Sequence, residues 1–276
     1  MAAVISPGVE APPKRRWWLV GLVFGWIAAL VVLSVWSVRH ERATVPEQRD
    51  IADAVPELQQ AAGVLFAAAN GDGRALVLGG LELLGDCRIT PVRSGVEAAR
   101  NLTIYVGAGR ARAALDGIAD GLPRAYQPSV VATRGGTRLG FHADAGNFIG
   151  IDSNAEATAK VLTLRITSGC RPASADVPGA IDPSAAAAPA TLAAVLEALG
   201  GTAVPEVQSV SNPDGGVAAS WSAELDEPAD LPQRLRKVSV GATIIRDDGS
   251  AWAYRTGDSS VVVVPDGDRV KVTVSQ

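Results

Sequence analysis

About twenty consecutive uncharged residues, Trp17 to Trp36, follow directly after Lys14, Arg15 and Arg16. At 1.5 Å rise per residue such a run spans roughly the 30 Å of a bilayer hydrocarbon core. Trp17, Trp18 and Trp36 mark its two ends, where amphipathic rings prefer the headgroup level. The run predicts one transmembrane helix over 17–38 that contacts membrane lipid. A cleaved secretory signal is the competing reading. It is disfavoured because the apolar stretch exceeds an h-region and Ser34-Val35-Trp36-Ser37 is a poor cleavage context.

Basic residues flank both ends: Lys14, Arg15 and Arg16 before the run, Arg39, Arg42 and Arg49 after it. The first group abuts the helix, and long C-terminal segments translocate largely regardless of charge. The expected topology is a cytoplasmic tail over 1–16, a juxtamembrane segment over 39–52, and extracytoplasmic domains beyond it in the cell membrane.

Phe, Tyr and Trp make up only 5% of the chain, so cores must be built from Val, Leu, Ile and Ala. The net charge of −4 and the lack of a basic stripe exclude nucleic acid as an expected partner. Arg outnumbers Lys, and Ala and Gly abound, a bias associated with high-GC bacterial genomes. Cys87 and Cys170 are the only cysteines. In an exported domain they read as one disulfide, with two buried free thiols as the alternative. No metal ligand set and no cofactor fingerprint accompanies them.

The expected fold class is α+β, with two small domains after the tether. Each is a mainly antiparallel sheet with helices on one face. The first covers 53–170 and carries an extra N-terminal helix over Ala54 to Ala69, whose Leu58, Ala62, Leu65 and Phe66 share a face. A Pro/Ala-rich linker spans 171–190, and the second domain covers 191–276. The linker reads as a semi-rigid spacer that transmits little packing, so the domains are expected to unfold separately.

The two domains read as possible duplicates, each running helix, two strands, helix, three strands. Leu81-Glu82-Leu83-Leu84-Gly85 aligns with Leu196-Glu197-Ala198-Leu199-Gly200, which sets Cys87 against Thr202. Leu139 and Phe141 align with Trp252 and Tyr254, and Leu162, Leu164 and Ile166 with Val270, Val272 and Val274. Asp230 is the expected N-cap of a helix over Leu231 to Val238. Hairpins are expected at Asp247-Asp248-Gly249 and at Pro265-Asp266-Gly267-Asp268.

Candidate chemistry is sparse. Gly107-Ala108-Gly109 follows a strand and opens a helix, but a dinucleotide fingerprint needs a third Gly where Arg112 stands. His142 falls on the polar parity of its strand and is expected to face solvent. Asn70-Gly71-Asp72-Gly73, Asp152-Ser153-Asn154 and Pro265-Asp266-Gly267-Asp268 lack EF-hand spacing and read as turns. Asn101-Leu102-Thr103 matches a glycosylation sequon inside an expected strand. No catalytic residue is assigned. The chain reads as a single-pass, non-enzymatic envelope protein whose modules bind a protein, cell-wall or ligand partner. A carboxylate enzyme using Asp144, Asp152 or Glu224, and a transmembrane sensor, are the alternatives.

Overall fold

A computed structural model describes residues 17–40, 49–91, 93–173 and 182–276, leaving aside the side chains of Trp17, 37–40 and Asp86. The chain divides into two compact units, Met1–Ala43 and Thr44–Gln276. The first contains helix α1 (Trp17–His40). Its span Trp18–Trp36 has mean hydropathy 2.4 and none of it is buried, so it is long and apolar enough to cross a membrane. The expected tail over 1–16 and most of the juxtamembrane segment lie outside the described residues.

The second unit is α+β and holds two six-stranded antiparallel sheets. Helix α2 (Ile51–Ala69) is followed by β1 (Arg74–Thr90), β2 (Arg93–Val106), α3 (Ala111–Gly121), β3 (Ser129–Thr133), β4 (Arg138–Asp144), β5 (Gly150–Glu156) and β6 (Val161–Arg171). Then come α4 (Ala190–Leu199), β7 (Glu206–Ser211), β8 (Val217–Asp226), α5 (Leu231–Val238), β9 (Thr243–Asp248), β10 (Ala251–Thr256), β11 (Ser259–Asp266) and β12 (Arg269–Ser275). The first sheet runs β1-β2-β6-β5-β4-β3 and the second β7-β8-β12-β11-β10-β9, so both share one order and one helix placement.

This shared order corrects part of the sequence alignment. Leu81 to Gly85 belong to strand β1, whereas Leu196 to Leu199 belong to helix α4. The helix matching α4 is α2, which is therefore not an extra element. Cys87 on β1 corresponds to the β7 region and not to Thr202. Each module has four strands after its second helix, not three. By strand order β4 matches β10 and β6 matches β12, but the residue equivalences differ in register by two. Ala143 shares a cross-strand row with Ile166, whereas Tyr254 shares one with Val274, so Tyr254 falls on Ala143 and not on Phe141 when Ile166 is set on Val274.

The helices form where the sequence supplies caps and apolar stripes. Asp50 caps α2 by accepting from the Ala52 N–H at 2.9 Å. Leu58, Ala62, Leu65 and Phe66 are all buried against β1, β2 and β6. Asp230 occupies the N-cap position of α5, but its carboxylate accepts from Arg234 Nε at 2.5 Å and caps nothing. That bond holds its carboxyl below the usual carboxylate range.

Strand parity divides each sheet cleanly. On β2, Ala98, Leu102, Ile104 and Val106 face the first helix layer; on β12, Val270, Val272 and Val274 face the second. The modules share packing, which argues against their unfolding independently. Ala75 of β1 packs with Ala253 and Val262 on the far face of the second sheet. The Leu76 N–H donates to Ser260 Oγ at 3.1 Å and the Leu78 N–H to Ser220 Oγ at 2.9 Å, while Ser275 Oγ donates to the Leu76 carbonyl. Serines of the second sheet thus satisfy the open edge of β1, an edge that otherwise invites stray pairing. Helix α2 reaches β7 as well, so closely that a Cβ on Gly63 would lie 1.9 Å from the Ser211 carbonyl oxygen.

The linker is also pinned at its described end. Arg100 stands in the core-facing row of β2 with its side chain fully buried. Its guanidinium makes a two-point contact with Asp182, at 3.1 and 2.8 Å, and Nε donates to the Gly79 carbonyl. Asp182 also accepts from Gln59 Nε2 of α2 and from the Ser209 N–H of β7. One carboxylate therefore ties the linker to α2, β2 and β7, giving the buried cation the satisfied partners such a charge requires.

Cys87 and Cys170 form a disulfide that joins β1 to β6 across the intervening β2. Strands two places apart in a flat sheet lie about 10 Å apart, yet these Cα atoms are 5.7 Å apart. Register breaks after Leu84 on β1 and after Glu97 on β2 accompany this closer approach. The bridge passes Gly95, where a Cβ would lie 2.8 Å from Cys170 Sγ and 2.4 Å from the Arg171 carbonyl.

Candidate functional site

The expected chemistry-bearing residues are divided between the sheets: His142, Asp144 and Asp152 neighbour one another on the far face of the first, and Glu224 stands on the second. His142 is 61% exposed and its Nδ1 lies at hydrogen-bond distance, 2.8 Å, from Asp152 Oδ1 on the open face of the first sheet. Asp144 accepts from the Gly146 N–H in the β4–β5 turn. Glu224 stands on β8 of the other sheet, 3.8 Å from Arg269. The three carboxylates proposed for an enzyme thus have separate partners. Asp152, Ser153 and Asn154 lie within β5 and not in a turn. Among the described residues no group of three or more His, Cys, Asp and Glu side chains is placed to hold a metal ion.

Gly107-Ala108-Gly109 forms a tight turn closed by the Arg110 N–H on the Gly107 carbonyl, with Gly109 at φ +72°. Beside it a shallow cavity of about 420 Å³ is lined by Arg74, Arg110, Asp72 and Ala114. Burial, and then the neighbouring Arg255, hold the Arg74 guanidinium below its usual range. Arg74 already donates to the Ala114 carbonyl at 3.4 Å, and its own carbonyl receives Arg255. These contacts make it part of the seam between modules.

The more enclosed feature is a cavity of about 290 Å³ in the second module, between α5 and strands β9 to β11. Its apolar surface comes from Leu231, Leu235, Trp252, Val263 and Pro265, and its rim carries Glu227, Arg236, Asp247 and Asp248. Strand alternation puts Trp252 and Tyr254 on the helix side of β10, and both are buried. Neither the Trp252 indole N–H nor the Tyr254 hydroxyl has a hydrogen-bond partner. Burial pushes the Tyr254 phenol up to about 12.

Asp248 is held far below the ordinary carboxylate range by Arg246, with Ser250 and Lys160 contributing. Its bond to Lys160 Nζ at 3.0 Å crosses from one module to the other. Glu227, Arg236 and Asp247 are exposed and make no ion pair within the described residues.

The sequence pointed to none of Arg100, Asp182 or this cavity. The signal for Arg100 was present: a charged side chain at the apolar parity of β2, between Ala98 and Leu102. The cavity left no such mark, because it depends on how far the helix layer extends over β10.

The sequence matches no protein-family profile and no curated protein. Among solved structures it is similar to a DUF4853 family protein from Actinomyces odontolyticus ATCC 17982, at 17% identity and a TM-score of 0.33. That match covers 64% of this chain and 93% of the other.

Proposed function

We propose that this chain is a single-pass envelope protein whose extracytoplasmic modules form one non-enzymatic binding unit for a protein, cell-wall or ligand partner. The observation that carries the reading is the pairing of an exposed apolar span at Trp18–Trp36 with the Cys87–Cys170 disulfide downstream. Disulfides persist in oxidising compartments, and a chain anchored at its N-terminal end places its bulk there. Glu224 lies on the other sheet from Asp144 and Asp152, and Asp152 is engaged by His142, which favours binding over a glycosidase-like pair of free carboxyls across one site.

The test is thiol labelling of intact cells with a membrane-impermeant reagent. Ala187→Cys, on an exposed stretch of the described linker, is expected to label before the inner membrane is breached, and Ala3→Cys only afterwards. The reverse pattern would overturn the orientation. Release of the chain into the medium at its mature length minus the apolar span would overturn the anchor.

A further inference from the structure

We propose that the cavity over Trp252 binds a small zwitterion with an apolar body, of the class of an apolar α-amino acid. The first observation is that the cavity is not a necessity of this fold. In the first module the turn at Arg124–Tyr126 lies against β4, and Leu122 and Tyr126 pack onto the core beside Leu139. The second module repeats the strand order but has only the eight-residue α5 there. Over β10, the counterpart of β4, the helix layer stops short.

The second observation is the lining. Leu231, Leu235, Val263 and Pro265 offer an apolar surface, and Trp252 adds an aromatic one. Trp252 is 7% exposed, so part of its side chain is open to the cavity. The rim carries charges of both signs: Arg236 on one element, Glu227 and Asp247 on others. Asp248 is already committed to Arg246 and Lys160. A carboxylate for Arg236, an ammonium for Glu227 and Asp247, and a hydrocarbon body for the floor use every free group on the wall. At about 290 Å³ the space is at the small end of ligand sites, suited to one amino acid and not to a nucleotide.

The test uses the full chain in lipid nanodiscs and calorimetric titration with L-leucine. Two analogues are compared with it: 3-methylbutylamine, lacking the carboxylate, and 4-methylpentanoate, lacking the ammonium. Leucine is expected to bind at least about tenfold more tightly than either, one charge-assisted contact being worth about that factor. Arg236→Gln is expected to weaken leucine and 4-methylpentanoate but not the amine. Glu227→Gln with Asp247→Asn is expected to weaken leucine and the amine but not 4-methylpentanoate. These three residues are exposed, so the variants keep the fold, and circular dichroism confirms it. No leucine heat, or equal affinity across the variants, would overturn the site. Equal binding of leucine and an analogue would overturn its two-charge recognition. None of these outcomes depends on membrane orientation, so the envelope reading is tested separately.

Discussion

Replacing Asp182 by Ala removes the carboxylate paired with the fully buried Arg100 guanidinium. Arg100 keeps a single bond, Nε to the Gly79 carbonyl, and loses both contacts on its terminal nitrogens. The Ser209 N–H and Gln59 amide lose their acceptor in the same step. Stranding a buried charge costs about 3–5 kcal/mol, and orphaning a buried amide about 1–3 kcal/mol. The Asp182 side chain is itself 22% exposed, so water can enter the space it leaves and recover part of this. The expected loss is therefore near the lower bound, about 3 kcal/mol, or roughly 6–12 °C in Tm for a unit of this size. Urea unfolding of segment 44–276, followed by the fluorescence of Trp221 and Trp252, reads it. A second variant separates charge from contact. Arg100→Met combined with Asp182→Ala leaves no buried charge and is expected to regain at least half of the loss. A single mutant within about 1 kcal/mol of the parent, or a double mutant no better than the single, would refute the clasp.

Gly63→Ala would ordinarily favour a helix by about 1 kcal/mol, but the Ser211 carbonyl lies where the methyl must go. A net destabilisation of roughly 1–3 kcal/mol is expected in urea titration, and a gain would contradict the close packing of α2 on β7. Gly95→Ala is expected to lower the fraction of chains with a closed disulfide, read by non-reducing mass spectrometry, since the bridge crosses that Cα. The 83-residue separation makes that bridge worth about 4–5 kcal/mol on the loop-entropy account. Tyr254→Phe is expected to be neutral or stabilising near pH 7, because the buried hydroxyl has no partner to lose. The parent has a phenol raised by burial to about 12, so its contribution is complete below pH 10 and fades as pH rises through 12. The variant should lack that alkaline decline, on the order of 2 kcal/mol; matching profiles would rule it out. Segment 44–276 is expected to melt in one transition shared by both sheets, and two calorimetric peaks would show the seam to be weak.

The elements legible in the sequence were those whose burial follows a local period. Leu102, Ile104 and Val106, or Leu139, Phe141 and Ala143, announce strands by alternation, and all are buried. Helix α2 was legible from its apolar face and α5 from its short amphipathic stretch. Leu81 to Gly85 misled because a run with several leucines suits a helix or a strand equally, and only its pairing with Glu97 to Arg100 makes it β1. The seam was illegible for a different reason. Ser220, Ser260 and Ser275 look like ordinary polar positions of a half-buried sheet, and nothing local says that an edge strand from a hundred or more residues away will use them. Asp182 is likewise one acid in a Pro/Ala-rich stretch until Arg100 is known to be buried. The cavity over Trp252 depends on the reach of a neighbouring layer, which no window of sequence contains.

The two sheets share one strand order, β1-β2-β6-β5-β4-β3 and β7-β8-β12-β11-β10-β9, but their far faces differ in kind. The far face of the first carries His142, Asp152 and Arg165 in one cross-strand row, two of them more than half exposed. The far face of the second carries Ala253 and Val262, both fully buried under β1. A face of the second kind is stable only when covered, and one of the first kind only when wet. The roles cannot be exchanged, and each module lacks something the other supplies: β1 needs serines for its open edge, and the second sheet needs a cover for its apolar face. Among the described residues this complementarity, more than the linker, makes Thr44–Gln276 one unit. It also frees the helix layer of the second module from closing its core completely, which is where the cavity over Trp252 lies.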